Sequence, residues 1–288
     1  MDVKKFAVID IGSNSVRLMF VADGKILYKD LQITRLGEGL ATSGVLSKEA
    51  IERSATAVAD FYRRACAEGA QSVCAFATAA VRSASNGEEF VRCVNRLCGL
   101  SVEVISGEEE AEIGILGALG NADGGIIDIG GASTEIIVRK GGVVVYKKSV
   151  DVGVVRLNDF CGRDGDALLA YAESAVNQFG CVPADVLCAI GGTATSIASI
   201  VLKQKIYDGA AVTGFAIDSL DLAEAVGYLK ESSVEKIVEE TCVPKKRAEV
   251  LLGGAIWLQT IVSRLGIKRL VASDADNLEG YAIKRGLL

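Results

Sequence analysis

The 288-residue chain predicts an α/β protein of two similar lobes facing each other across a cleft, and three observations carry that prediction. The stretch "AVIDIGSNSV" at 7–16 returns as "GIIDIGGAST" at 125–134. At an offset of 118 residues, Ile9 to Lys29 fall on Ile127 to Lys147 without a gap, matching Asp10 with Asp128, Gly12 with Gly130, Ser15 with Ser133, Gly24 with Gly142 and Tyr28 with Tyr146. Both copies read as an apolar strand ending in Asp, a Gly/Ser turn, a second strand, a Gly-centred turn and a third strand. Helices and strands then alternate after each copy, with no low-complexity linker between the halves.

In the first half the pattern predicts strands near 5–11, 15–22 and 25–34. A helix from Ser47 to about Cys66 follows, with Ile51, Ala55, Val58, Ala59 and Tyr62 on one stripe. Strand "SVCAFAT", a helix opened by Asn86 with Glu89 three residues on, strand "SVEVI" and a helix from Glu108 to about Leu119 complete that half. The second half predicts strands near 125–130, 133–139 and 142–151, a helix at about 165–179, strand "DVLCAIG" and a helix from Thr193. Two further helical segments (219–230, 233–240), a Pro244-started helix stopping at Gly266, strand "KRLVAS" and a helix from about Asn277 close the chain. The expected lobes are 1–119 and 120–288, with the terminal helix 277–288 free to pack back on the first.

Half the residues are apolar, which permits a large core, and no apolar run approaches the roughly 18 residues of a membrane span. Lys4 and Lys5 lead straight into a strand with no signal-peptide pattern, so cytoplasmic residence is expected. The eight cysteines lie singly in apolar surroundings without a CxxC pair, as reduced core thiols do. The chain has no histidine, which excludes a Ser-His-Asp triad, a phosphohistidine intermediate and His-based metal sites. A net charge of −6 speaks against a nucleic-acid partner, although Lys147–Lys148, Lys203, Lys205 and Lys245–Lys246–Arg247 form local basic groups.

The chemistry must therefore rest on carboxylates, hydroxyls, backbone amides, cations and metal. In each "DIG" turn an Asp ends a buried strand before small residues, so backbone N–H groups can approach an anion while the carboxylate holds a hydrated cation. Asp10, Ser13, Asn14 and Ser15 form one such grip, and Asp128, Gly130, Gly131 and Ser133 the other. A plain hairpin turn is the alternative for either copy alone; two opposed copies make a jaw for a phosphate chain. Glu135 lies seven residues after Asp128, a spacing that lets both carboxylates approach one Mg²⁺, whereas Arg17 at the matching place can pair with phosphate oxygens.

In "ISGEEEAEIG" Ser106 and Glu109 fit a capping box, which leaves Glu108 and Glu110 free. Glu110 shares a helix face with Gly114 and Gly117 and is a candidate general base, against the simpler reading that acids favour a helix start. "AIGGTATS" places Gly191, Gly192 and Thr193 at a helix start able to hold phosphate, and Arg82 follows strand "CAFAT" as a further cation.

Taken with "RLGEGL", "FATAAVR", "NGEEF" and "KRAEVLLGGA", these motifs resemble, in order and over nearly the whole chain, the exopolyphosphatase/guanosine pentaphosphate phosphohydrolase (Ppx/GppA) family. The resemblance implies a duplicated ribonuclease-H-like, actin-like fold and Mg²⁺-dependent hydrolysis of a terminal phosphoanhydride. It implies Glu110 as catalytic base, Asp128 and Glu135 at Mg²⁺, Arg82 at phosphate, and the Ser13–Ser15 and Gly130–Ser133 loops around the substrate. Inorganic polyphosphate is the expected substrate; pppGpp cleaved to ppGpp, or a non-catalytic sensor of such ligands, are the alternatives. An ATP-dependent kinase or activator of this fold is a further rival, but the scattered thiols lack the cysteine pair that some such families carry. Folds of this kind often pair, so a homodimer is also among the expectations. Two departures stand out: Ala132 replaces the third glycine of the family's GGGS loop, and Leu278 stands where the family carries Arg before Glu279–Gly280. The match stops where long members begin a helical HD-like domain, which implies a short member suited to shorter phosphate chains.

Overall fold

The computed structural model describes residues 4–288. The first half contains β1 (Lys5–Ile11), β2 (Ser15–Ala22), β3 (Lys25–Ile33), α1 (Leu40–Ser43), α2 (Lys48–Ala67), β4 (Ser72–Ala77), α3 (Ala79–Ser83), α4 (Gly87–Cys98), β5 (Val102–Val104) and α5 (Gly107–Leu119). The second contains β6 (Gly124–Ile129), β7 (Thr134–Lys140), β8 (Val143–Val150), α6 (Val154–Cys161), α7 (Gly165–Ala175), a 3₁₀ turn at Val176–Phe179, β9 (Val186–Ile190) and α8 (Gly191–Val201). It continues with α9 (Gly209–Val212), β10 (Ala216–Ile217), α10 (Ser219–Glu231), α11 (Val234–Glu240), α12 (Lys245–Leu265), β11 (Arg269–Ala272) and α13 (Asn277–Lys284).

The sheets run β3-β2-β1-β4-β5 and β10-β11-β9-β6-β7-β8. In each, an antiparallel three-stranded meander joins parallel strands through helical crossovers, the arrangement of a duplicated ribonuclease-H-like fold. The repeat persists in fine detail. The second strand of each meander slips register at equivalent places, Phe20/Val21 and Val138/Arg139. Gly12 N–H donates to Ser15 O at 2.9 Å and Gly130 N–H to Ser133 O at 3.0 Å, so both tight turns close alike.

The larger core lies between the second sheet and α7, α8, α10 and α12, around the fully buried Trp257. The first sheet buries Ile9, Leu18, Phe20 and Phe76 among α2, α4 and their surroundings on its two faces. The helices that follow the two halves exchange places. α5 packs Ala111 and Ile115 on Ile126, Ile137 and Ile190 of the second sheet, while α13 packs Leu278, Tyr281 and Ala282 on Val8, Met19 and Phe76 of the first. The two helices touch through glycines: a Cβ at Gly117 would lie 1.9 Å from Asp276 O, and one at Gly280 only 1.6 Å from Ile113 O.

Several local expectations change. Asn86 does not cap α4; its amide accepts from Leu46 N–H at 2.8 Å and donates to Leu46 O at 3.0 Å, pinning the preceding loop. Short helices α1, α3, α6 and α9 occupy stretches to which the sequence pattern assigns no element, being too brief for a helical period to show. The thiols are all free but none is a fully buried core group; Cys66 and Cys181 are exposed and the rest half-buried. No helix among the described residues is long and apolar enough to cross a membrane.

Candidate active site

A cleft of about 440 Å³ opens between the lobes, and Asp10, Ser13, Asn14, Ser15, Arg17, Glu110, Asp128, Gly130, Gly131, Ser133, Gly191, Gly192 and Thr193 all line it. The two Gly/Ser turns meet there directly. A Cβ at Gly131 would stand 2.6 Å from Ser13 Cβ and 3.0 Å from Asn14 N, so only glycine allows the second loop to close on the first. Ala132 is accommodated behind this contact, buried, with Gly153 packed against its amide. The polar atoms of this region are poorly served by the protein itself. Asp10 Oδ1, Ser13 Oγ, Asn14 Oδ1 and Glu135 Oε2 are buried and have no hydrogen-bond partner among the described residues, which marks a place built for something else to bind.

Register explains the seven-residue spacing. In the second meander Asp128 sits directly opposite Glu135, and in the first Asp10 sits directly opposite Arg17. Directly opposed side chains on one sheet face stand about 5 Å apart at Cβ. Desolvation is the main cause of the raised pKa values: Glu110 is pushed up to about 7, with Arg82 pulling against the rise, and Asp128 to about 8. Nearby Glu110 and Asp276 add to the rise at Asp128. Desolvation, with Glu110 and Asp128 adding to it, likewise drives Glu135 well above the usual carboxylate range.

Arg17 differs from expectation. Its guanidinium is spent on two carboxylates, Asp10, reached by Nε at 2.9 Å and by Nη2, and Asp276, reached by Nη1. A phosphate would have to compete with both. Arg82 is not on the cleft wall; its Nη1 donates to Glu110 Oε2 at 3.1 Å and to Ile105 O at 2.9 Å, so it stands behind the candidate base. The capping box forms as read, with Glu109 N–H donating to Ser106 Oγ, and Glu108 is engaged by Lys147 at 3.1 Å.

Four residues that sequence reasoning did not assign complete the site. Arg247, from the first turn of α12, reaches over Gly192, where a Cβ would meet its Nη2 at 2.7 Å. It makes no ion pair among the described residues, and burial followed by repulsion from Arg17 lowers its pKa. Its signal was present: three cations in the first turn of a helix oppose the helix dipole and so ask for a local reason. Asp276 caps α13 and holds Arg17; burial pushes its pKa up, but Arg17 and Lys29 outweigh that and keep it low. Asn277 donates through Nδ2 to Asp128 Oδ2 at 3.0 Å, and Ser149 Oγ donates to Glu135 Oε1 at 2.6 Å. Leu278, the departure from the family's Arg, is buried in the core under α13.

Among the described residues no group of three or more acidic or cysteine side chains forms a ready-made metal cage. Magnesium does not require one, since it keeps waters and is usually held by one or two carboxylates with substrate phosphates. Asp128 and Glu135, opposed on one face, buried, mutually repelling and with Glu135 Oε2 unpartnered, fit such an ion.

The Ppx/GppA phosphatase family model matches residues 19–285. Exopolyphosphatase 2 of Mycobacterium tuberculosis is 29% identical over 98% of this chain and 99% of its own length. The guanosine-5'-triphosphate,3'-diphosphate pyrophosphatase of Vibrio vulnificus is 30% identical over 98% of this chain, which spans only 58% of that protein. Among solved structures, an exopolyphosphatase-like protein superposes with a TM-score of 0.90 at 26% identity, covering 99% of this chain and 100% of the other. The Aquifex aeolicus Ppx/GppA family member does so with a TM-score of 0.80 at 28% identity, covering 99% and 98%. A match over almost the whole length, on a cleft that gathers the motif residues of both lobes, makes the chain a member of the Ppx/GppA phosphatase family.

Proposed function

We propose that this protein is an exopolyphosphatase, releasing orthophosphate from the end of inorganic polyphosphate in a Mg²⁺-dependent hydrolysis. The observation that carries the reading is Glu110: a buried carboxylate on the cleft wall with its pKa pushed up to about 7, close to neutrality where a general base works best. Glu110 takes the proton of the attacking water, and Arg82 behind it keeps the carboxylate oriented. The turn amides of both loops, Ser13, Ser133 and the start of α8 at Gly191–Thr193 receive the phosphoryl oxygens. Arg247, lacking a carboxylate partner, takes a further phosphate of the chain, and Arg17 holds Asp10 in place rather than the substrate. Asp128 and Glu135 would hold a Mg²⁺, which would supply charge neutralisation at the transferring group. Eight unpaired cysteines suit the reducing cytoplasm, where we place the activity.

One observation favours a second substrate. Beyond Arg247 the cleft is lined by Tyr207, Val243, Pro244 and Leu251, an apolar stretch that a phosphate chain does not need and a nucleobase does. Hydrolysis of pppGpp is therefore the alternative within the same chemistry. The purified protein and Glu110→Ala should be incubated with Mg²⁺ and, separately, short polyphosphate, long polyphosphate, pppGpp and ATP. Phosphate release that drops at least about 100-fold in the variant supports the base assignment, and the preferred substrate separates the two readings. Binding of polyphosphate with no release from any of the four would leave a sensor instead.

A further inference from the structure

Asn277 is the first residue of α13, buried beside the catalytic cleft, and its environment is unusual. Its Nδ2 donates to Asp128 Oδ2 at 3.0 Å, the only side-chain amide donor bonded, among the described residues, to the cluster of acids formed by Asp128, Glu135 and Glu110. The other Asp128 oxygen, Oδ1, lies over Gly191, where a Cβ would come within 2.4 Å of it. One oxygen is thus tied by Asn277 and the other is confined above a glycine. The Asn277 Oδ1, in turn, abuts α5: a Cβ at Gly114 would lie 2.9 Å from it. Gly114 is one turn beyond Glu110 on the same helix face.

We propose that Asn277 is a positioning residue: it holds the Asp128 carboxyl in one orientation and, by bearing on α5 at Gly114, fixes Asp128 relative to Glu110. The close crossing of α5 and α13 at Gly117 and Gly280 is what brings Asn277 within reach. A hydrogen-bond donor suits this place because Asp128 Oδ2 accepts from it, and an acceptor there would leave that buried oxygen without this partner. The proposal rests on the reading of Asp128 as a metal ligand, and outer hydrogen bonds to ligating carboxylates typically contribute 10- to 100-fold in metal affinity.

The decisive variants are Asn277→Leu, which keeps the side-chain size and removes the donor, and Asn277→Ala. Two readouts are independent of turnover: Mn²⁺ affinity from the electron paramagnetic resonance of the free ion, and the Asp128 carboxylate orientation in metal-free crystals of wild type and variant. Both variants should bind Mn²⁺ at least about tenfold more weakly, with Asp128 turned from its place over Gly191. Mn²⁺ affinity within twofold of wild type and an unmoved carboxylate in both would overturn the proposal and leave Asn277 a packing residue. Should wild type bind no Mn²⁺, the metal reading itself falls, and the crystals alone decide: a moved carboxylate supports positioning and an unmoved one ends it. Should Asn277→Leu fail to fold, Asn277→Ala decides by the same two criteria.

Discussion

The two meanders are the same object built twice with opposite electrostatics. In the first, Asp10 faces Arg17, and the pair together with Asp276 forms a closed set of charges. In the second, Asp128 faces Glu135, and burial, with repulsion from neighbouring carboxylates, raises the pKa of both. The backbone register, the turn hydrogen bond and the bulge are shared, so one side chain opposite the Asp decides which lobe is internally neutral and which demands a partner. Function in this fold is written on the strand next to the Asp. The sharpest way to break the comparison is Glu135→Arg, which makes the second lobe imitate the first. With Asp128 then paired internally, phosphate release should fall by about 10³-fold or more, the rate equivalent of losing several kcal/mol of charge stabilisation. Turnover within tenfold of wild type at saturating Mg²⁺ would show that the second lobe does not need its negative pair.

The converse change acts on stability. Arg17→Ala leaves Asp10 and Asp276 buried and unpaired, and breaking such a set costs about 3 kcal/mol. Urea denaturation of the variant should show its midpoint displaced accordingly, whereas Glu135→Ala, which removes a carboxyl that burial and its neighbours disfavour as an anion, should be neutral or stabilising in metal-free buffer. If both variants unfold like wild type, the asymmetry is only geometric.

The same asymmetry gives a pH dependence with a definite sign. Glu110 and Asp128 have folded pKa values of about 7 and about 8, above their unfolded values, so between about pH 4 and pH 8 the folded chain keeps protons that the unfolded chain has released. Their contribution is complete at low pH and is lost as pH rises through the folded values. Metal-free protein should therefore lose on the order of 6 kcal/mol from these groups between pH 5 and pH 8, and Asp128→Asn should lose less. Mg²⁺ should flatten the trend, because it favours the ionised carboxylates. Calorimetric unfolding at several pH values, with and without Mg²⁺, measures both slopes; parallel curves for wild type and Asp128→Asn would remove Asp128 from the account.

Much of this was legible in the chain. The duplicated meander, the Ser106–Glu109 cap and the facing Gly/Ser turns follow from local pattern, because strand alternation and turn chemistry act over a few residues. What was not legible depends on contacts between distant segments. Arg17 could be read as a free cation because its second partner, Asp276, comes 259 residues later. Asn277 reads as an ordinary helix start until α13 is seen crossing α5. Arg82 reads as a cation at the phosphate, and only the fold shows it behind the Glu110 carboxylate and off the cleft wall.

The smallest effect tests the comparison on the third strand. Ser149 stands opposite Glu135, and its hydroxyl donates to Glu135 Oε1 at 2.6 Å; the matching position in the first lobe, opposite Arg17, is Leu31. A lobe that must hold a carboxylate ready for a cation has a donor there, and a lobe whose Arg is already satisfied has none. Ser149→Ala removes the hydrogen bond that fixes Glu135 Oε1, on a carboxylate whose Oε2 has no hydrogen-bond partner among the described residues. The expected loss is up to about tenfold in kcat at limiting Mg²⁺, roughly 1.4 kcal/mol, with much of it recovered at saturating Mg²⁺ because the defect lies in holding the ion. Leu31→Ser, the mirror change, should alter kcat less than about twofold, within the ordinary range of a small polar substitution. Equal losses from the two changes would mean that the third strands serve both lobes alike, and that the charge opposite each Asp is set without them.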